Sequence, residues 1–288
     1  KECIIWMTVF HPHLLQLIAV DINPLTGRYS MISEMMNGNI KDYISKNSPN
    51  RLRLVREPLS YTTNLHEAAM GLHYLHEREI IHGDLKGDNI LITNGTPARA
   101  CLADFGLSTL TPSAPGGTTT ITAGGTPRYM APELLNPEKF GKTNSRPTKP
   151  ADIYALGMVI YEVLTGLDPF YDQNPVVYQL AYRVVDGARP TKPSNTEEIG
   201  FGSGTWELVK ECWKPRSTKR PTIEQVLAHL ERVSVPSSVP SSQVLPPGNL
   251  RPSSSLVVID NSSSQNKPSS DSGGISLLRI SNPLITSK

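Results

Sequence analysis

The sequence predicts an α+β fold in which helices dominate and strands are few and short. One strong turn signal near the N-terminus, Asn23-Pro24-Leu25-Thr26-Gly27, separates two short runs of apolar or mixed residues. Downstream of these runs, the apolar residues recur mostly at helical spacing. The chain shows no internal repeat and no strand–helix–strand alternation, so a parallel sheet is not expected.

The first 34 residues predict the end of a helix followed by a β-hairpin. Residues 1–9 supply bulky apolar positions, and Pro12 ends the helix because a proline disfavours the α conformation at the residue before it. The runs Leu14 to Val20 and Tyr29 to Ser33 are expected to pair across the turn.

Residues 35–233 predict several helices and a second hairpin. Asn39 is a candidate cap for a helix that continues to Lys46. Apolar residues near a 3.6-residue period predict a long amphipathic helix over Tyr61 to Arg78. Residues 151–165 are apolar on nearly every face, which indicates a buried helix. The remaining expected elements are strands at 90–92 and 99–102, joined by a turn at Asn94-Gly95, and helices at 206–212 and 223–233.

The last segment, residues 234–288, predicts a disordered tail. From Pro236 onward there is no aromatic residue, and Ser and Pro recur in runs. Such a composition cannot bury enough apolar surface to offset the entropy of ordering. Short apolar patches at 256–259 and 275–280 leave docking motifs as the alternative interpretation.

Overall composition excludes few classes of function. A net charge of +2 and a pI near 8.4 are too mild to argue for nucleic-acid or membrane-surface binding. Cys3, Cys101 and Cys212 are widely spaced, which favours reduced thiols and a cytoplasmic or nuclear location. No apolar run is long enough to predict a membrane segment. The oligomeric state is not predicted.

Three motifs predict the chemistry. The first is the loop His-Gly-Asp-Leu-Lys-Gly-Asp-Asn at 82–89; Asp-Phe-Gly follows at 104–106, and Ala-Pro-Glu stands at 131–133. Phosphoryl transfer requires metal ions on the phosphates, positive charge near the developing oxyanion, and a group aimed at the attacking hydroxyl. These motifs supply all three, and in this order they resemble the eukaryotic protein kinase family.

This resemblance runs from about residue 2 to residue 232 and implies a protein kinase-like fold. Residues 35–233 would be the helical C-lobe, and residues 1–34 the rear part of the small β lobe. Asp84 matches the residue that orients the acceptor hydroxyl or accepts its proton, and Lys86 matches the lysine that neutralises the γ-phosphate of ATP. Asn89 and Asp104 would bind Mg²⁺, which prefers hard oxygen ligands.

Other positions resemble the family's nucleotide pocket. Glu34 and Met36 look like the hinge whose backbone binds adenine, Ser33 falls at a gatekeeper position, and Leu91 matches the apolar floor beneath adenine. The alternative for Met35 and Met36 is an ordinary place in the core.

The resemblance also implies three supporting roles. Asp152 would anchor the backbone of the catalytic loop. Glu133 and Arg220 would form a buried ion pair. His82 is expected to be neutral and buried beneath Phe105 rather than catalytic.

The substrate class is indicated by two sets of residues. Lys86 in its Asp-Leu-Lys-Gly-Asp-Asn context and Thr126 resemble serine/threonine kinases. Cys212-Trp213 and Arg220-Pro221-Thr222 resemble the tyrosine-kinase-like group. We therefore expect a serine/threonine kinase of that group, with the His-Gly-Asp variant resembling fungal sets, and with ATP and a protein substrate as its partners.

Two departures from the family pattern stand out. Gly83 replaces the arginine that in many kinases pairs with a phosphorylated activation loop. No Gly-x-Gly-x-x-Gly followed by Val-Ala-x-Lys occurs in the chain. The favoured interpretation is an N-terminally truncated piece of an active kinase, itself inactive alone; the alternative is a pseudokinase or scaffold binding module.

Overall fold

The structure is a computed structural model and describes residues 2–22, 29–47, 58–104, 127–173, 177–194 and 204–234. It confirms the α+β class with helices dominating. The helices are α1 (Glu2–Thr8), α2 (Ile40–Asn47), α3 (Pro58–Glu77), α4 (Pro132–Leu135), α5 (Lys149–Thr165), α6 (Val177–Val185), α7 (Thr205–Cys212) and α8 (Ile223–Ser234). The strands are β1 (Leu17–Ile22), β2 (Tyr29–Ser33), β3 (Ile90–Ile92) and β4 (Ala100–Leu102).

The predicted N-terminal hairpin is confirmed, with one change of boundary. Strands β1 and β2 pair antiparallel, with Val20 opposite Met31. The first strand begins at Leu17 rather than Leu14, because the backbone before it pairs elsewhere. The Leu15 amide donates to the carbonyl of Leu102 at 2.8 Å, which ties this segment to β4. The turn predicted at 23–27 lies outside the described residues.

Helix α2 and the second hairpin follow the sequence prediction closely. The side-chain oxygen of Asn39 accepts from the amide of Asp42 at 2.9 Å, so Asn39 caps α2 as expected. Strands β3 and β4 pair antiparallel with Leu91 opposite Cys101. The Asn37 amide donates to the carbonyl of Ile92 at 2.7 Å, which brings the segment after β2 alongside β3.

The core is organised around α5, which is buried over its whole length from residue 151 to residue 165. Thr148 caps its N-terminus by accepting from the Ala151 amide, and Gly166 ends it in the left-handed conformation with φ of +65°. Helix α7 packs on α5, and α8 packs on α3. Helix α3 begins at Pro58, nearly one turn before the predicted start.

Helices α4 and α6 were not predicted. Helix α4 is a single turn of four residues, too short to show a helical period. Helix α6 is rich in valine and tyrosine, residue types that favour strands as much as helices. The two helices pack against each other. The tail was predicted at 234–288; Ser234 instead ends α8, and the rest of that range lies outside the described residues. The boundary at residues 34 and 35 stays a prediction.

Candidate active site

Asp152 holds the catalytic loop by its backbone, as the sequence predicted. Its carboxylate is buried and accepts from the amide of His82 and from the amide of Gly83, each at 2.9 Å. His76 from α3 lies 2.9 Å from the same carboxylate. A carboxylate removed from water is stable only when such donors surround it. The rigid helix α5 thereby fixes the start of the loop.

Asp84 and Lys86 come together at the surface of this loop. The Lys86 ammonium lies 2.7 Å from Oδ2 of Asp84, with the lysine side chain 21% exposed and the aspartate side chain 8% exposed. Lys86 has extended backbone, with φ of −158°. Residues two apart in extended backbone project to the same side. The predicted juxtaposition of the two side chains is therefore present.

Asn89 is tied to the same aspartate. Its amide nitrogen donates to the backbone carbonyl of Asp84 at 2.8 Å and lies 3.4 Å from Oδ2. Since the nitrogen is committed to Asp84, the amide oxygen is the atom left to face a cation. Gly87–Asn89 forms a short 3₁₀ turn that presents this side chain.

Asp104 is placed next to Asn89 by the backbone. The amide of Ala103, its neighbour, donates to the carbonyl of Asn89 at 2.9 Å. Asp104 is exposed and has φ of +59°, a left-handed conformation that aspartate tolerates better than most residues. A residue held in this conformation is a candidate for a functional role.

An amide oxygen and a carboxylate are a donor set that fits Mg²⁺. This ion often takes one or two protein ligands and completes its shell with water and phosphate oxygens. The described residues contain no larger cluster of His, Cys, Asp or Glu suited to a metal. The pair Asn89 and Asp104 thus fits the predicted magnesium site, which stays a prediction.

His82 is fully buried beneath the loop. Burial lowers the pKa of its imidazole, and the nearby carboxylates of Asp152, Asp84 and Asp104 only partly oppose this effect. Burial thus favours the neutral form of the ring, and the structural role expected from the sequence stays a prediction. Its predicted neighbour Phe105 lies outside the described residues.

Two of the three predicted adenine-binding positions lie in the segment after β2, and the third lies in β3, which pairs with the end of that segment. Glu34 is exposed and directly follows β2, while Met36 is half-buried against the core. Leu91, in β3, is also half-buried, and it forms a bridge with Asn39 just beyond the hinge segment. The side-chain amide of Asn94 donates to the carbonyl of Met35 at 2.7 Å, which connects the residues after β3 to the predicted hinge. The structure brings these positions together, and their contact with adenine stays a prediction.

The predicted ion pair between Glu133 and Arg220 is present and buried. Two guanidinium nitrogens lie 2.6 and 2.7 Å from the two carboxylate oxygens, a bidentate arrangement. The arginine side chain is 0% exposed and the glutamate side chain 5% exposed. Arg220 also donates to the carbonyl of Pro150 at 2.8 Å, so the pair links α4 to the start of α5.

A hollow opens directly beside Asp84. Its walls come from the catalytic loop, from Tyr129 and Met130, from α4 through Leu134, and from the first turns of α5. Asp84, the residue expected from the sequence to orient an acceptor hydroxyl, is among its lining residues. Sequence reasoning did not single out Tyr129 as part of this wall.

Sequence reasoning also missed Glu162. It is buried in α5 and accepts from the hydroxyl of Tyr129 at 2.7 Å and from the amide of Gly87 at 3.1 Å. The available signal was a single acidic residue inside the otherwise apolar run Ile-Tyr-Glu-Val-Leu at 160–164. A charge in such a position is rarely tolerated without a dedicated partner.

No described helix is long and apolar enough to cross a membrane.

Comparisons with known proteins identify the family. A family model described as the protein kinase domain matches residues 1–230. The serine/threonine/tyrosine-protein kinase HT1 of Arabidopsis thaliana is 31% identical over 234 residues, which are 81% of this chain and 54% of HT1.

Other relatives come from a different lineage. A probable serine/threonine-protein kinase of Dictyostelium discoideum is 32% identical over 80% of this chain and 13% of its own length. The dual specificity protein kinase shkC of the same organism is 25% identical over 83% of this chain and 44% of its own length. The chain thus spans about half or less of the length of these relatives. Since the kinase domain model covers most of its length, the chain belongs to the eukaryotic protein kinase family.

Proposed function

We propose that the protein transfers the γ-phosphate of ATP to serine or threonine hydroxyls of protein substrates, with Mg²⁺ as the metal. The observation that carries the proposal is the cluster of Asp84, Lys86 and Asn89, in which the ammonium and the amide both contact the aspartate. Family membership supports kinase chemistry. The serine/threonine preference rests on the Lys86 context and on the names of relatives such as HT1.

Each side chain has a distinct task in this proposal. Asp84, at the edge of the hollow, orients the acceptor hydroxyl and takes its proton late in the transfer. Lys86, held 2.7 Å from Asp84, offers positive charge to the transferred group. Asn89 and Asp104 would hold Mg²⁺, which when bound supplies charge neutralisation on the phosphate oxygens.

The test uses charge-removing substitutions in the full-length protein. Asp84→Asn keeps the size of the side chain but removes its charge, and Asp104→Ala removes a carboxylate from the metal site. Each should lower kcat by about a hundredfold or more, since each removes an electrostatic contribution of several kcal/mol. The measurement is phosphate transfer from radiolabelled ATP to a protein substrate, with phosphoamino-acid analysis of the product.

Asp186→Asn is the matched control, because this exposed aspartate lies after α6, away from the catalytic loop. It should leave turnover unchanged. Near-normal turnover in Asp84→Asn would contradict the assigned roles. Product carrying phosphotyrosine alone would contradict the serine/threonine preference.

A catalytically silent binding module is the second candidate. It is favoured by one observation, that the 288 residues contain no Gly-x-Gly-x-x-Gly followed by Val-Ala-x-Lys. Under this alternative the Asp84→Asn protein would match the wild type in every assay, because no form would transfer phosphate.

A further inference from the structure

Lys41, in the first turn of α2, reaches across to the catalytic loop. Its ammonium lies 3.0 Å from Asp168, 3.2 Å from Glu162 and 3.6 Å from Asp88. Three carboxylates from separate segments therefore share one cation. Burial alone would lower the pKa of Lys41, but these three carboxylates raise it above its ordinary value, so the side chain stays charged.

Glu162 connects this cation to the active site. Its side chain is 4% exposed, and one of its oxygens accepts from the Gly87 amide at 3.1 Å. Gly87 directly follows Lys86 in the catalytic loop. The other oxygen accepts from the hydroxyl of Tyr129, which forms a wall of the hollow beside Asp84. One carboxylate thus fixes both the loop and the wall.

The same two side chains crowd position 87, which favours glycine there. A Cβ atom there would collide with the Glu162 carboxylate and would lie 2.9 Å from Cγ of Lys41. The two side chains therefore fill the space that a side chain of the catalytic loop would otherwise occupy. Because glycine has no side chain, Lys41 and Glu162 can pack directly on the loop backbone.

The charge of Lys41 stabilises the ionised form of Glu162. Burial raises the pKa of Glu162, Asp168 adds to the rise, and Tyr129 and Lys41 oppose it by stabilising the carboxylate. An ionised carboxylate is a stronger acceptor for an amide than a protonated one. Without Lys41, the carboxyl group would be buried with fewer favourable charges and would hold the Gly87 amide less well.

We propose that Lys41 is a positioning residue for phosphoryl transfer, acting through Glu162 to fix Gly87 of the catalytic loop and Tyr129 of the wall beside Asp84. The part of this inference that concerns catalysis rests on the proposed function. The part that concerns the position of the loop does not. The two parts are tested by separate measurements on the same variants.

The experiment compares Lys41→Met and Lys41→Arg with the wild type, in the full chain. Lys46→Met is the control, because this exposed lysine lies in the same helix. Hydrogen exchange of the Gly87 amide is followed by NMR, with amides of α5 as an internal reference. In Lys41→Met, Gly87 should exchange about tenfold faster or more while α5 keeps its protection. In Lys41→Arg, the Gly87 amide should keep most of its wild-type protection.

The kinetic readout uses the full-length protein. Lys41→Met should lower kcat by about tenfold to a hundredfold, because small misplacements of reacting groups are costly. The KM for ATP should change less than about twofold, since the Lys41 ammonium pairs with Asp168, Glu162 and Asp88, none of which is a proposed ligand of the nucleotide or the metal. A merely structural role would not produce this split between kcat and KM.

Each outcome decides the proposal. Unchanged exchange at Gly87 in Lys41→Met overturns it, whether or not the protein is active. Loss of protection throughout α5 also overturns it, because the effect is then global. Lys41→Arg behaving like Lys41→Met rejects the electrostatic role. Faster exchange confined to Gly87, in a protein that transfers no phosphate in any form, upholds the positioning role and contradicts the proposed function instead.

Discussion

Single buried carboxylates set the geometry of the candidate active site. Asp152 holds the amides of His82 and Gly83, while Glu162 holds the amide of Gly87, so the loop is fixed at both ends from one helix. Each carboxylate is costly to bury and is stable only with its full set of donors. The loop and α5 are therefore interdependent. Loss of one donor should weaken the hydrogen bonds that the remaining donors make to the same carboxylate.

The pair of Glu133 and Arg220 allows a direct test of the cost of leaving a buried carboxylate without its donors. Arg220→Met would leave Glu133 buried without its bidentate partner and should reduce the free energy of unfolding by about 3–5 kcal/mol. The measurement is urea unfolding at neutral pH. Combining Arg220→Met with Glu133→Leu should recover part of the loss, because the unpaired charge is then removed.

An exposed pair provides the control for this prediction. Lys210 and Glu207 lie 2.6 Å apart, with side chains 49% and 68% exposed. Lys210→Met should change the free energy of unfolding by less than about 1 kcal/mol, as is usual for surface pairs. Equal losses in the two single variants would contradict the special cost of the buried pair.

Phosphorylation of the segment between Asp104 and Glu133 should have a weak effect on activity. A phosphate orders a loop by gaining bonds to arginines. Gly83 offers no such side chain, and its φ of +80° is a conformation that disfavours an arginine there. Arg128, the other candidate, already donates to the carbonyl of Pro169 at 2.7 Å.

The measurement is a kinase assay of the full-length protein before and after phosphatase treatment. A loss of less than about tenfold, equivalent to roughly 1.4 kcal/mol in the barrier, is expected. A larger loss that Arg128→Met abolishes would show that Arg128 leaves Pro169 to bind the phosphate.

At the level of elements, the local sequence predicted helices α2, α3, α5, α7 and α8 from apolar patterns and an asparagine cap, and both hairpins from their turn signals. It could not predict α4, which is one turn long, or α6, whose valines suit either structure. The shift of β1 to Leu17 has a different cause. The backbone at 13–15 finds its hydrogen-bond partners in Leu102 of β4, a contact between residues far apart in sequence. Local patterns carry no information about such distant partners.

Gly71 of α3 shows how element packing can override helix propensity. Replacing glycine by alanine inside a helix usually stabilises it by about 1 kcal/mol. A Cβ at position 71 would, however, collide with the carbonyl oxygen of His13. That oxygen accepts from the amide of Leu102 at 2.9 Å and is not free to move away.

Gly71→Ala should therefore destabilise the protein by about 1–3 kcal/mol, the usual cost of overpacking. Ser45→Ala, at an exposed position of α2, is the control for helix propensity and should be neutral or slightly stabilising. Both are measured by urea unfolding. A more stable Gly71→Ala protein would mean that the 13–15 segment is able to shift away from α3.

Across the whole molecule, the candidate site combines residues that the sequence motifs identify with residues that they do not, and only the former were predicted. Asp84, Lys86 and Asn89 share one loop, so their spacing was informative. Lys41, Tyr129 and Glu162 converge from three separate regions, and nothing in their local sequence indicates that they meet. Sequence reasoning therefore supplied the motif residues and the anchoring residue Asp152 but missed Lys41, Tyr129 and Glu162.

The 288-residue chain on its own is expected to bind nucleotide weakly. In the proposed site, Asn89, Asp104 and Lys86 would hold the phosphates and metal from one side. No Gly-x-Gly-x-x-Gly followed by Val-Ala-x-Lys stands in the chain to hold them from the other side. Titration calorimetry with Mg²⁺ and ATP should give a Kd on the order of 1 mM or weaker, and turnover on a generic protein substrate should be low.

Asp104→Ala is the informative variant in this titration, with Asp186→Asn as its control. Any residual binding at the proposed site should disappear in Asp104→Ala, because the metal would lose one of its two protein ligands, and should persist in Asp186→Asn. Binding in the micromolar range together with turnover would show that the described loop holds the nucleotide by itself. Binding that survives Asp104→Ala would place the nucleotide elsewhere on the chain and would contradict the assignment of Asp104.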